Sequence, residues 1–351
     1  MISRVADHCF WFGRYLERAE STARLLQVTS GLALDSDLTP LQVWQPVIIT
    51  AGEEERFVAQ RGADAVADGE AVQEYLVFHD AVPVCLKCSV AAARENARSV
   101  REVVTLEAWE SINELHLWMQ SALARANYED HRDDFYRHVR RETQLCLGLL
   151  RGTMLHDSAL DFIWLGVLLE RTGQTARMLD VHHHALTTAA GPAFQAQSQG
   201  TGQLQALPVV EVSLWLSLLR ACYGFEPFLK THRGTVTGEA VASFLIFEPR
   251  FPRAVRHCVK RAREGLEKIR PAALALPKLR GAERLRMLES WLDSRAGGPL
   301  DPASIHEILT GIVDATHSAC DEIAVELLGA SPPAPEEAGA PNPGGSGTRT
   351  E

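Results

Sequence analysis

Residues 10–26, FWFGRYLERAESTARLL, come back as residues 163–179, IWLGVLLERTGQTARML. At a constant separation of 153, nine of the 17 positions are identical: Trp11/Trp164, Gly13/Gly166, Leu16/Leu169, Glu17/Glu170, Arg18/Arg171, Thr22/Thr175, Ala23/Ala176, Arg24/Arg177 and Leu26/Leu179. A duplicated element of this length constrains the fold more than any other feature of the chain. Each copy needs a partner for its apolar face, and the two copies are built alike. The polar residues recurring in register are a glutamate, the arginine after it, a threonine and a later arginine.

Both copies read as long helices. Phe12, Leu16, Ala19, Ala23 and Leu26 fall at steps of 4, 3, 4 and 3, and Leu165, Leu169, Thr172, Ala176 and Leu179 repeat them, which draws one apolar stripe along each helix. The small residues at 19/172 and 23/176 would let another helix approach. Further matches follow at a separation near 170. Trp44 pairs with Trp215, GEAV at 69–72 with GEAV at 238–241, YLVF at 75–78 with FLIF at 244–247, and Pro83 with Pro252. A helix is expected after each of these prolines. The larger separation implies an insertion in the second half. The Ala, Gln, Gly, Ser and Thr-rich stretch 187–207 is its natural place and reads as a flexible loop.

The expected fold is all-α, a multi-helix bundle of roughly 10 to 12 helices by the 3.6-residue period. It is built from two pseudo-symmetric repeats, about 1–150 and about 154–329, in one domain spanning 1–330. Helical patterns run around Trp109–Leu123 and Asp130–Leu150, and again over 273–296 and 301–329, where Asp301 and Pro302 suit an N-cap and first helical position. The YLVF and FLIF runs read as single helical turns. Residues 331–351 hold five Pro and four Gly with no large apolar side chain, a composition that reads as disordered.

Composition narrows the function classes. A net charge of −10 argues against electrostatic nucleic-acid binding. No 18-residue apolar run and no signal-peptide pattern is present, so neither a membrane span nor export is expected. Seven scattered cysteines suit buried thiols in a reducing cytoplasm. No cofactor or catalytic motif stands out, and no cofactor or metal is assigned. His182-His183-His184 is a weak metal cue, because adjacent helical histidines diverge. Cys85-x-x-Cys88 lacks a second pair and reads as two half-buried thiols.

Two groups remain as candidates for function. The first is Glu17, Arg18, Arg24, Glu170, Arg171 and Arg177. Two related helices crossing near a pseudo-twofold would pair Glu17 with Arg171 and Glu170 with Arg18, as register-fixing buried ion pairs. Alternatively Arg24, Arg177 and Arg18 grip a carboxylate or phosphate while Glu17 or Glu170 acts as a base. Glu20 precedes Arg24 by four residues, a favourable helical pair, and Gly173 stands at the matching place in the second copy. The second group is Arg250, Arg253, Arg256, His257 and Lys260, at and just after a helix start. This is an anion-binding arrangement or a solvated basic face. At 84, 87 and 91 the first half has Val84, Lys87 and Ala91, so the cluster belongs largely to the second half.

The segments SRVADHCFWFGRYLERAESTARLL, EYLVFHDAVPVCLKCSVAAARENARSVRE, WESINELHLWM and FLIFEPRFPRAVRHCV together resemble the alpha-E proteins, a bacterial all-α family with a Glu-Arg motif. The resemblance covers about residues 1–325. The first half departs from the family pattern at His79-Asp80-Ala81-Val82, where an Asp-Pro-x-Asn turn is usual, so no role is carried onto that loop. The family's genes often lie beside, or fuse to, a circularly permuted ATP-grasp ligase-like protein and a transglutaminase-like cysteine peptidase. The resemblance therefore implies an accessory protein in a pathway that makes and trims peptide bonds, with those two proteins as partners. The alternative is an enzyme of that pathway with a central Glu/Arg pocket for an acidic or peptide substrate.

Overall fold

In the computed structural model the described residues are 2–35, 38–189, 209–269, 279–298, 300 and 302–331. They form fifteen α-helices, a 3₁₀ turn (Ala63–Ala67) and a π turn (Ala324–Leu328). The helices are α1 (Ser3–Asp35), α2 (Pro40–Thr50), α3 (Glu54–Arg61), α4 (Gly69–Phe78), α5 (Leu86–Ser99), α6 (Leu106–Met119), α7 (Ala122–Asp130) and α8 (Arg132–Thr153). They continue with α9 (Ser158–Ala189), α10 (Val209–Ala221), α11 (Phe225–Thr231), α12 (Gly238–Phe247), α13 (Val255–Ile269), α14 (Arg280–Arg295) and α15 (Pro302–Ile323). The all-α expectation holds, with more helices than the periodicity suggested. The excess lies in α3, α7 and α11, which are too short to register a 3.6-residue pattern. YLVF and FLIF are not isolated turns but the ends of the ten-residue helices α4 and α12. Most of the expected 187–207 loop, Asp301 and nearly all of the 331–351 tail lie outside the described residues.

Local chemistry accounts for many helix starts. Thr39 and Gln42 close a capping box around Pro40 at the head of α2, Asp68 accepts from Glu70 and Ala71 amides before α4, and Thr237 accepts from Ala240 before α12, each satisfying amides that a helix leaves free. α5 is capped unusually, by the Cys85 thiol accepting from the Cys88 amide. Cys85 is thus fully buried rather than half-buried, and burial raises its pKa.

The core lies where α1 meets α9. These two helices make the most extensive contact in the fold. They cross at the glycines that recur in both copies. A Cβ on Gly13 would lie 2.0 Å from the Ile163 carbonyl oxygen, and one on Gly166 would lie 2.1 Å from that of Phe10. Backbone touches backbone there, which only glycine allows. The small residues at 19/172 and 23/176 are expected to let another helix approach. Those residues are buried, but the crossing itself belongs to the glycines.

Around this crossing, α1 packs on α5 and α8, and α9 packs on α13 and α15. α2 reaches across to α9 and α10 to α1, while α5–α6 and α6–α8 have counterparts in α13–α14 and α14–α15. The repeated Trp and GEAV blocks meet as well. A Cβ on Gly69 would strike the Trp44 ring at 2.4 Å, and one on Gly238 would strike Trp215 at 2.6 Å. No described helix is long and apolar enough to cross a membrane.

Candidate functional site

The Glu-Arg residues point inward at the α1/α9 crossing and exchange partners. Arg171 donates to Glu17 (Nη2–Oε2 2.7 Å, Nε–Oε1 3.2 Å). Arg18 donates to Glu170 (Nε–Oε1 2.7 Å, Nη2–Oε2 3.0 Å). Each pair is a two-point, fork-on-carboxylate contact. Both glutamates are fully buried in the core.

Each centre then recruits different neighbours. Beside Glu17, Arg253 bonds Glu17 through one guanidinium nitrogen and Glu20 through the other, the latter at 3.0 Å. Arg24 bonds Glu20 at 2.7 Å and also donates to the Ala221 carbonyl. Three guanidiniums surround the Tyr223 ring. Arg24 lies 3.8 Å from its centroid, Arg253 5.1 Å and Arg140 5.2 Å. Arg140 also donates to the Tyr223 hydroxyl at 2.9 Å. Two carboxylates thus face Arg24, Arg171, Arg253 and the half-buried Arg140, and Arg24 Nη2 is buried without a hydrogen-bond partner.

Beside Glu170, Arg14 joins Arg18 (Nε–Oε2 2.8 Å) and Gln174 donates at 3.3 Å. Arg177 is drawn to Glu170 electrostatically, but its buried Nε has no hydrogen-bond partner. Gly173 stands where the first copy has Glu20, so Arg177 also lacks the carboxylate that Glu20 offers Arg24. A Cβ on Gly173 would lie only 3.6 Å from Arg177 Nη2.

The electrostatics follow from these contacts. Burial alone would raise the Glu17, Glu20 and Glu170 carboxyls, but the facing arginines outweigh it and hold all three below the ordinary glutamate range. Glu20 is brought down to about 2. Burial lowers the pKa of Arg24 and Arg177, and neighbouring arginines add to the effect. Carboxylates held this firmly ionised are poor proton carriers near neutral pH.

The second candidate group does not assemble into one site. Arg253 lies in the turn before α13, not on its exposed face, and is buried between Glu17 and Glu20. Arg250 is exposed and pairs with Glu248 at 2.7 Å. Arg256 pairs with Asp293 at 2.6 Å, and Lys260 is exposed. The His257 ring is bonded to the Pro249 carbonyl at 2.8 Å. His257 and Arg171 share a different feature, a cleft of about 410 Å³ between α9 and α13.

Among the described residues, no group of three or more His, Cys, Asp and Glu side chains gathers as a metal cage. His182 is half-buried and bonded to the Met178 carbonyl at 2.7 Å, and desolvation lowers its pKa.

Sequence reasoning missed Tyr223 altogether. It is the only non-glycine with positive φ among the described residues, at 57°. Its place matches Gly52 at the separation of 171 that relates Trp44 to Trp215, and Gly52 has φ 73°. That alignment was the available signal.

The described residues are thus all-helical, and their two longest helices cross on glycines and exchange Glu-Arg pairs. The Alpha-E family model, described as a predicted alpha-helical domain with a conserved ER motif, matches residues 1–327, and the chain belongs to that family. No curated protein and no solved structure matches it.

Proposed function

We propose that this protein is a cytoplasmic, non-catalytic helical accessory made of two pseudo-symmetric halves. It works beside a circularly permuted ATP-grasp ligase-like protein and a transglutaminase-like peptidase in a pathway that forms or modifies peptide bonds. The observation that carries the accessory reading is the saturation of the Glu-Arg motif. Glu17 accepts from Arg171 on the opposite long helix and from Arg253, and Glu170 from Arg14 and Arg18, both on the opposite long helix. Such groups clamp a scaffold. The matched pairings α1–α5/α9–α13 and α1–α8/α9–α15 support the two-half reading. The partners themselves rest on the family resemblance.

The alternative, an enzyme in which Glu17 or Glu170 moves a proton, calls for a carboxyl that titrates near working pH. Arginines hold both well below that range. The test is co-expression with a circularly permuted ATP-grasp ligase-like protein from the same genome, followed by size exclusion. Co-elution as a complex supports the reading. Two separate peaks from two well-folded proteins overturn it.

A further inference from the structure

The groove between a long helix and the helix that follows its proline occurs twice in the chain, and only one copy is filled. Between α1 and α5, His8 meets Asn96 in a 2.9 Å hydrogen bond. The matching positions between α9 and α13 are Asp161 and Gly265. Beyond its own stretch of helix backbone, nothing lies within 4 Å of where a Cβ on Gly265 would be. There the groove opens into the cleft of about 410 Å³, a size typical of small-ligand sites.

The exchange of side chains goes further along the same face of α13. His257, Arg261 and Lys268 line the cleft where the first half has Cys88, Ala92 and Ser99. Arg151, from the end of α8, closes the opposite side with its guanidinium 4.7 Å from the Trp164 ring centroid. Leu165, Leu168 and Trp164 supply an apolar wall on α9. Arg261 is answered by Glu264 at 2.9 Å and Arg171 by Glu17. Arg151 and Lys268 form no ion pair among the described residues. Asp161 also lines the cleft and draws Lys268 electrostatically, so on a chain of net charge −10 this is an apolar-walled cleft in which Arg151 has no carboxylate partner and Lys268 has only a longer-range one.

We infer that the α9/α13 cleft binds an acidic peptide. Its carboxylate would lie between Lys268 and Arg151, and an apolar side chain would rest on Trp164 and Leu168. An ion pair screened by an apolar wall is worth more than one in open water, so the anion and the apolar body both count. The inference draws on the accessory reading only for the choice of a peptide as carrier of the carboxylate. It is tested without any partner protein, so its failure is distinct from failure of that reading.

The experiment is isothermal titration of the purified full-length protein with N-acetyl-leucyl-glutamate, its diamide and inorganic phosphate. Binding of the acid at least about tenfold tighter than of the diamide is expected, as for a charge-assisted contact. Lys268→Gln and Arg151→Gln should each weaken the acid by a similar factor. Gly265→Asn, which puts back the first half's side chain in a helix interior with room for it, should fold normally by circular dichroism and abolish binding. No binding by the wild type, equal binding of acid and diamide, or unchanged binding in Gly265→Asn would overturn the site. Phosphate binding as tightly as the acid would overturn the peptide assignment.

Discussion

Tyr223 is held at φ 57° and carries the Arg24 guanidinium 3.8 Å above its ring. A bulky side chain in the left-handed region is strained, by roughly 1–3 kcal/mol. The matching Gly52 bears no such cost. Here the strain turns a ring toward Arg24, Arg140 and Arg253, which have only two carboxylates, Glu17 and Glu20, close at hand with Arg171 among them. The negative ring face answers part of the surplus positive charge.

Tyr223→Phe keeps the ring and removes the hydroxyl bonded to Arg140. It should cost about 1.5–3 kcal/mol, the range for a hydrogen bond to a charged group. Tyr223→Gly relieves the backbone but leaves Arg24 without its ring, and should cost more than Tyr223→Phe. Chemical denaturation of both variants checks the order. A Gly variant more stable than the Phe variant would show that the ring contributes less than the strain it imposes.

Gly13→Ala and Gly166→Ala should each be severely destabilising. A methyl group 2.0–2.1 Å from a carbonyl oxygen cannot be absorbed without separating α1 from α9, which places the loss at or beyond about 4 kcal/mol. Gly148→Ala is the control. It lies inside α8 with nothing within 4 Å of its Cβ, and should stabilise by up to about 1 kcal/mol through helix propensity. Thermal melts of the three variants read this out.

Stability should fall in acid over a defined window. The Glu20 carboxyl drops from an ordinary 4.5 to about 2 on folding. Its contribution is complete above the unfolded value and is lost as pH falls from about 4.5 toward 2. Glu17 and Glu170 are depressed too and act in the same direction. Melting temperature measured from pH 7 to 2 should therefore drop steeply below about 4.5. Glu20→Gln should start lower and show a shallower acid slope.

Glu17→Ala and Glu170→Ala should behave alike. Each removes a buried carboxylate shared by two arginines, although Arg253 keeps Glu20 when Glu17 is lost, and breaking a buried pair from one side costs about 3–5 kcal/mol. Urea unfolding of the two variants tests the equivalence. A neutral effect at one position beside unfolding at the other would refute it.

The exchange of Glu17 and Glu170 between α1 and α9 was legible in the sequence, because two copies in register can satisfy each other only by crossing. Arg253 was not. Its spacing from Arg256 and Lys260 suggests one helical face, but α13 begins only at Val255. Residue 253 therefore belongs to the turn after Pro252, where helical spacing carries no information about direction. The cleft was hidden for a related reason. Its opening depends on the absence of a side chain at Gly265, and an absence shows only once the neighbouring helix is in place. Gly13 and Gly166 were visible as identities, yet a retained glycine signals close approach without saying to what.

The reciprocity at the crossing, in which Gly13 meets Ile163 while Gly166 meets Phe10, has the form of an isologous dimer interface written into one polypeptide. A homodimer with this contact would have to make every substitution twice, once in each subunit. Joining the two copies in one chain removes that obligation. The glycine contact can then stay fixed while the residues beside it differ, Asn96 bonded to His8 near α1 and Gly265 with open space at its Cβ near α9.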